Sequence, residues 1–194
     1  RDTWDRHPMT AGRMLHEVAH ALPSDVIVAD DSVSCREALF DAIDFEQPGS
    51  VFGERGGALG WGMGGALGIK LAKPDRPVVA IVGDGSAMMT VQALWTAANE
   101  RIPVIYVICN NRSYRVLKVN IKNYKKYVLG EQDAAGDKYI GMDFPLPLDL
   151  AGMAKACGVW SRSIDDPADI SPAIQEAIDR DEPALLDILV DGSV

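Results

Sequence analysis

Asp84 stands between two glycines in Gly83-Asp84-Gly85-Ser86, directly after the apolar run Val78–Val82, and a second apolar run ends in Asn110-Asn111. Twenty-four residues, Ser86 to Cys109, separate the two motifs, enough for one helix and one further strand. Two neighbouring parallel strands would set Asp84 and Asn111 side by side at one edge of a sheet, where open α/β sheets take their ligands. A carboxylate, a side-chain amide oxygen and a nearby backbone carbonyl are hard oxygen donors, suited to an octahedral Mg²⁺ that also holds phosphate oxygens. Gly85 permits a close approach to the backbone, and the free N–H groups at the start of the following helix favour an anion. Together they describe a site for a Mg²⁺–diphosphate.

The elements that must position these residues follow from hydrophobic patterning. Asp25–Ala29, Pro77–Val82, Pro103–Cys109, Val159–Ser163 and Ala184–Val190 read as strands. The second and third are nearly continuous apolar runs, as strands buried on both faces require. Helical patterns cover Thr10–Leu22, Ser34–Ile43, Ala58–Ala72, Thr90–Glu100, Leu148–Cys157 and Pro167–Arg180. This alternation predicts an α/β fold, a doubly wound parallel sheet with helices on both faces, as one domain over residues 1–194. Asp44–Gly57 and Asn120–Pro147 break the rhythm and read as loops, the second long enough to be functional or disordered.

GDG followed some two dozen residues later by NN, each after an apolar strand, resembles the binding motif of thiamine diphosphate (ThDP) enzymes. The likeness extends from Gly56 to Tyr114 (GGALGWGMGGALGIKLAKPDRPVVAIVGDGS…QALWTAA…NNRSY) and resembles the C-terminal diphosphate-binding domain of benzoylformate decarboxylase and its acetolactate-synthase-like relatives. The resemblance implies that Asp84, Asn111 and the main-chain carbonyl of Ser113 hold Mg²⁺. It implies that Gly85, Ser86 and Ser34 contact the diphosphate. Leu59 matches the bulky apolar residue that props ThDP into its bent conformation, and the carbonyl of Gly57 would accept from the cofactor's amine. Val116 and Leu117 match positions that line the substrate pocket. The family carries a Thr where this chain has Val33, so that hydroxyl is lacking here.

The same resemblance implies what lies elsewhere. The glutamate that activates the cofactor belongs to a separate pyrimidine-binding domain and is not in this chain, nor is the middle domain. The family's active site forms between domains of two subunits, so the expected partners are a pyrimidine-binding domain and further copies in a dimer or tetramer. The family's catalytic histidines are also missing: His7, His16 and His20 all precede the first strand. The implied activity breaks or forms a C–C bond next to the carbonyl of a 2-oxo acid. Benzoylformate-type decarboxylation comes first and acetolactate-synthase-type carboligation second. From a different class, the chain could be a non-catalytic ThDP-binding module or fragment.

Composition limits the remaining classes. With 47% hydrophobic and 24% charged residues the chain has the balance of a soluble globular protein. No run of about 18 apolar residues occurs, which argues against a membrane span. A net charge of −9 argues against nonspecific nucleic-acid binding and requires local devices for any anionic ligand. Cys35, Cys109 and Cys157 are odd in number and widely spaced, which points to a reducing compartment, the cytoplasm, and to core packing. The sequence opens on Arg1, inside what reads as a linker, and reads as a piece of a longer protein.

Four further motifs take plainer readings. Gly60-Trp61-Gly62-Met63-Gly64-Gly65 fits a dinucleotide fingerprint, but FGERGGAL before it is not a strand, so a closely packed glycine-rich helix is expected. His16 and His20, four apart on a helix with no third ligand nearby, read as packing residues. Lys118–Tyr127 reads as a solvated segment, part of it over the cofactor. Asp30 and Asp31, at the end of the first strand, read as capping or turn residues.

Overall fold

In the computed structural model, which describes residues 3–54, 56–131 and 139–194, six parallel strands form one sheet in the order β2-β1-β3-β4-β6-β5. The strands are β1 (Ile27–Asp31), β2 (Val51–Gly53), β3 (Val78–Gly83), β4 (Val104–Asn110), β5 (Trp160–Ile164) and β6 (Ala184–Leu189). Between them run α1 (Ala11–Ala21), α2 (Arg36–Ala42), α3 (Trp61–Ala72), α4 (Asp84–Met89), α5 (Ala93–Asn99), α6 (Arg115–Tyr124), α7 (Leu150–Ala156) and α8 (Ile170–Arg180). The doubly wound α/β architecture expected from the alternating pattern is the one observed.

Side chains alternate across a strand, so each central strand feeds two cores. Val28, Val79, Ile81, Val107 and Leu186 face α1, α2 and α8, where Met14, Leu15, Leu39 and Ile174 complete a buried cluster. Ile27, Ala29, Ala80, Val82, Tyr106 and Leu185 face the other way, against Met63 and Leu67 of α3, Leu94 of α5 and Leu150 of α7. Tyr106, fully buried, satisfies its hydroxyl by donating to the carbonyl of Met63 at 3.1 Å.

Three segments depart from the sequence expectation. Strand β2 lies inside Asp44–Gly57, expected to be a loop. Its three residues pair only with β1, Val28 opposite Val51, and none is buried, so an edge strand of this length has no hydrophobic period to read. It also means that the first two residues of FGERGGAL are strand, although Glu54–Gly60 still intervenes before α3. The helix expected over Thr90–Glu100 is present as the shorter α5, Ala93–Asn99, and a separate short helix, α4, precedes it and begins on Asp84 itself. Finally, the start of the expected loop Asn120–Pro147 is helical: α6 continues through a π-helical turn, Lys125–Leu129, to Gly130 in the left-handed region. The buried residue of α6 is Lys118, ion-paired with Asp143, while its apolar residues Leu117 and Tyr124 stay exposed, so Lys118–Tyr127 is not simply solvated.

Gly62 shows how closely α3 sits on the sheet. A Cβ at this position would lie 2.6 Å from the Cβ of Asp31 and 3.4 Å from Val82 Cγ2. Gly62→Ala is expected to cost roughly 1–3 kcal/mol through overpacking, measured as a shift of the denaturant midpoint at unchanged slope.

Candidate functional site

The sheet's connections change direction between β1 and β3. From β1 the chain passes to α2 on one face, and from β3 to α5 on the other, which opens a crevice at the carboxyl edge of the two strands. The registers Asp31 opposite Val82 and Gly83 opposite Cys109 put Asp84 level with Asn110, two residues beyond Asp31 on the neighbouring strand, with Asn111 one residue further. The two motifs separated by twenty-four residues therefore meet, as the strand spacing requires.

Asp84 is buried, with one carboxylate oxygen accepting the N–H of Gly85 at 2.8 Å. Its other oxygen, Oδ2, is buried without any hydrogen-bond partner. Burial raises the carboxyl from its ordinary 3.8 to about 6, against the opposing pull of the N–H groups of Gly85, Arg112 and Ser113. Asn111 closes the turn after β4: its Oδ1 accepts from Ser113 N at 3.0 Å and from Ser113 Oγ at 3.1 Å. Between them Arg112 has φ 56°, a left-handed position. The Met142–Phe144 segment braces this turn, with Tyr114 N donating to the Met142 carbonyl and Phe144 N to the Arg112 carbonyl.

A buried carboxylate oxygen with no donor is a costly arrangement that a cation relieves. Asp84 with the amide oxygen of Asn111 and a backbone carbonyl in the Ser113 turn suits a hard divalent ion such as Mg²⁺. The anionic half of the ligand has matching features. Gly85 and Ser86 open α4, and Gly85 faces the ring of Tyr114 so closely that a Cβ would sit 2.6 Å from Tyr114 Cε1. Ser34, half-buried, lies in the 3₁₀ turn Val33–Cys35 that follows β1. Val33 holds φ 49°, a region that a β-branched residue rarely enters.

Asp31 ties the glycine segment to this edge. Fully buried, it accepts the N–H groups of Gly60 at 2.9 Å and Gly62 at 3.2 Å, and burial raises its carboxyl against these two bonds. Thr90 Oγ1 donates to the Gly60 carbonyl at 2.5 Å, while Gly60 itself has φ 88°. Upstream, Glu54 accepts from Gly57 N at 2.7 Å and Ala58 N at 3.2 Å. Gly57 is left-handed at φ 79°, and its carbonyl accepts from Leu59 N at 3.0 Å. Leu59 is thereby held 44% exposed beside the crevice. Val116 and Leu117 occupy the first turn of α6, the former half-buried, the latter exposed.

Asp30 makes the turn expected of it, accepting from Ser32 N at 3.0 Å and Ser32 Oγ at 2.6 Å. Its second oxygen takes Arg36 Nε at 2.6 Å. Asp31 does more than cap its own strand, since it latches a segment 29 residues away. Neither that latch nor the role of Glu54 was visible in the sequence. Both act on backbone N–H groups of a loop, which carry no side-chain signature. His16 and His20 pack on each other with ring centroids 4.0 Å apart, and His16 also meets Trp4. Among the described residues no cluster of three His, Cys, Asp or Glu side chains forms, and all three cysteines are free.

A parallel sheet with a carboxylate–amide pair at its switch point and a glycine-rich segment latched beside it defines a diphosphate-binding α/β domain. This chain belongs to the thiamine pyrophosphate enzyme C-terminal TPP binding domain family, whose model matches residues 13–188. It is 32% identical over 166 residues to benzoylformate decarboxylase of Pseudomonas aeruginosa, covering 86% of this chain and 29% of that protein. The acetolactate synthase isozyme 1 large subunit of Escherichia coli is 25% identical over 186 residues, covering 95% and 31%. Among solved structures, the thiamine diphosphate-dependent 4-hydroxybenzoylformate decarboxylase of Rhodococcus jostii superposes with a TM-score of 0.84 at 30% identity, over 96% of this chain and 33% of that one. The chain thus spans between 29% and 33% of the length of these relatives.

The raised Asp84 carboxyl has a consequence for stability. A carboxyl whose folded value lies above its ordinary 3.8 contributes a penalty that is absent below that value and complete above about 6. Asp84→Asn removes it, so in cofactor-free protein the variant should gain on the order of 1–3 kcal/mol relative to the parent as pH rises from about 4 to 7. Thermal melts at both pH values check this; a difference independent of pH would show that Asp84 is not buried as an anion.

Proposed function

We propose that this chain binds ThDP through Mg²⁺ held by Asp84, Asn111 and the Ser113 carbonyl. The observation that carries the proposal is the buried, unpartnered Oδ2 of Asp84 at the carboxyl edge of β3, beside the Asn111 turn. Gly85, Ser86 and Ser34 would take the diphosphate, where backbone N–H groups and hydroxyls meet phosphate oxygens. Leu59, held out by the Glu54–Gly57 bonds and the Asp31 latch, would support the bent cofactor, and the Gly57 carbonyl would accept from its amine. Val116 and Leu117 would form an apolar wall of the substrate pocket. When bound, ThDP supplies the nucleophilic carbon and the electron sink needed to break or make a C–C bond beside a carbonyl.

For the complete protein we propose ThDP-dependent chemistry on 2-oxo acids, benzoylformate-type decarboxylation first, because the P. aeruginosa and R. jostii proteins named as decarboxylases of that kind share 32% and 30% identity with this chain. Acetolactate-synthase-type carboligation is the second reading, supported by the E. coli relative. Residues 1–194 would act as one diphosphate-binding domain, joined in a homo-oligomer by the pyrimidine-binding domain that carries the activating glutamate. We place the protein in the cytoplasm: its cysteines are free, and among the described residues no helix is long and apolar enough to cross a membrane.

Calorimetric titration with ThDP, with and without Mg²⁺ and with thiamine as control, tests the binding. Mg²⁺-dependent ThDP binding that thiamine does not reproduce is expected, and Asp84→Ala should abolish it. Unchanged affinity in that variant would sink the metal assignment. Leu59→Ala should keep ThDP bound while turnover of 2-oxo acids by the complete enzyme falls at least about tenfold, roughly 1.4 kcal/mol in the barrier; full turnover would refute the role of Leu59.

A further inference from the structure

Arg115 is not among the residues that the family motif assigns. It is the first residue of α6, two beyond Ser113, and α6 begins against the 3₁₀ turn that carries Ser34. Its side chain lines an open cavity of 420 Å³ together with Ser34 and Asn111, one a proposed diphosphate contact and the other a proposed metal ligand. The cavity thus touches both halves of the proposed site and has a guanidinium in its wall.

The two arginines of this cavity are not equivalent. Arg6 is engaged by Asp191, with Nη1 at 2.9 Å from the carboxylate. Arg115 forms no ion pair among the described residues. Its one hydrogen bond runs from Nε to the carbonyl of Ser193 at 3.0 Å, which leaves Nη1 and Nη2 without a protein partner among them. Glu37 and Asp41 of α2 also line the cavity, both exposed to solvent, and Asp191 is ion-paired with Arg6, accepts two bonds from Ser193 and also feels the charge of Arg115 without a direct contact. A chain of net charge −9 that holds a diphosphate needs a local cation beyond the metal, and a planar guanidinium matches phosphate oxygens in a two-pronged contact.

We infer that Arg115 binds the terminal phosphate of the cofactor through this cavity, beside Ser34, with Nε anchored on the Ser193 carbonyl and the two terminal nitrogens turned to the ligand. The inference rests on the ThDP reading above and adds to it the residue that recognises the second phosphate. The carboxyl-terminal segment then has a function, because Ser193 orients the guanidinium.

The test is titration of the full-length protein with ThDP and with inorganic pyrophosphate, each with Mg²⁺, pyrophosphate being followed by displacement of ThDP. Arg115→Gln is expected to weaken both ligands by roughly tenfold, the size of one charge-assisted contact, and Arg115→Lys to recover most of the loss. Affinity for ThDP equal to that of the parent in Arg115→Gln overturns the inference. So does an equal loss in the Gln and Lys variants, which would mean that the side chain only anchors α6 to Ser193. If the unsubstituted protein binds no ThDP with Mg²⁺, the cofactor reading itself falls, and this inference with it.

Discussion

The cost of burying Asp84 organises the carboxyl edge of this sheet. A carboxylate that has left water and gained one hydrogen bond is poorly compensated, and the resulting rise of its pKa to about 6 is the measure of that deficit. Folding tolerates it because β3 is covered on both faces and cannot tilt its end toward solvent. Everything nearby then acts to keep the carboxylate aimed without satisfying it. Gly85 starts a helix at once, Arg112 takes a left-handed turn, and the amide of Asn111 bonds to Ser113 instead of to Asp84.

Asp31 is the counterpart of Asp84, and it too keeps one oxygen, Oδ1, buried without a hydrogen-bond partner. It ends a central strand and is buried, but its other oxygen is consumed by Gly60 and Gly62. Two carboxylates one strand apart thus divide two tasks: one fixes the chain, the other stays available. The division follows from neighbours and not from residue type. The start of α3 presents backbone N–H groups to one oxygen of Asp31. Asp84 has the Gly85 bond and the weaker pull of the Arg112 and Ser113 N–H groups, and its Oδ2 stays without a hydrogen bond.

Much of this was legible before any coordinates. Apolar runs of five to seven residues such as Val78–Val82 and Pro103–Cys109 identified the central strands because burial on both faces leaves no polar position to confuse the period. Asp84 and Asn111 met because the intervening helix and strand have a nearly fixed length. What stayed hidden has physical causes. β2 has too few residues, and none of them buried, to show alternation. The buried position of α6 is held by a lysine whose charge is matched by Asp143, a pairing across 25 residues that no local window detects. The Asp31 latch and the Glu54 bonds end on backbone N–H groups, which every residue but proline possesses.

The strand order has a mechanical consequence. Among the described residues α1, α2 and α8 pack on one side of the sheet and α3, α5 and α7 on the other, each layer with its own buried cluster. At the switch between β1 and β3 the loops of the two layers come together, Ser34 from one and Ser86 from the other. A ligand bridging them acts as a rivet through a laminate. It would couple the opening of one layer to that of the other, so hydrogen-exchange protection gained on binding would extend into α8 and α7, helices that contribute nothing to the crevice itself.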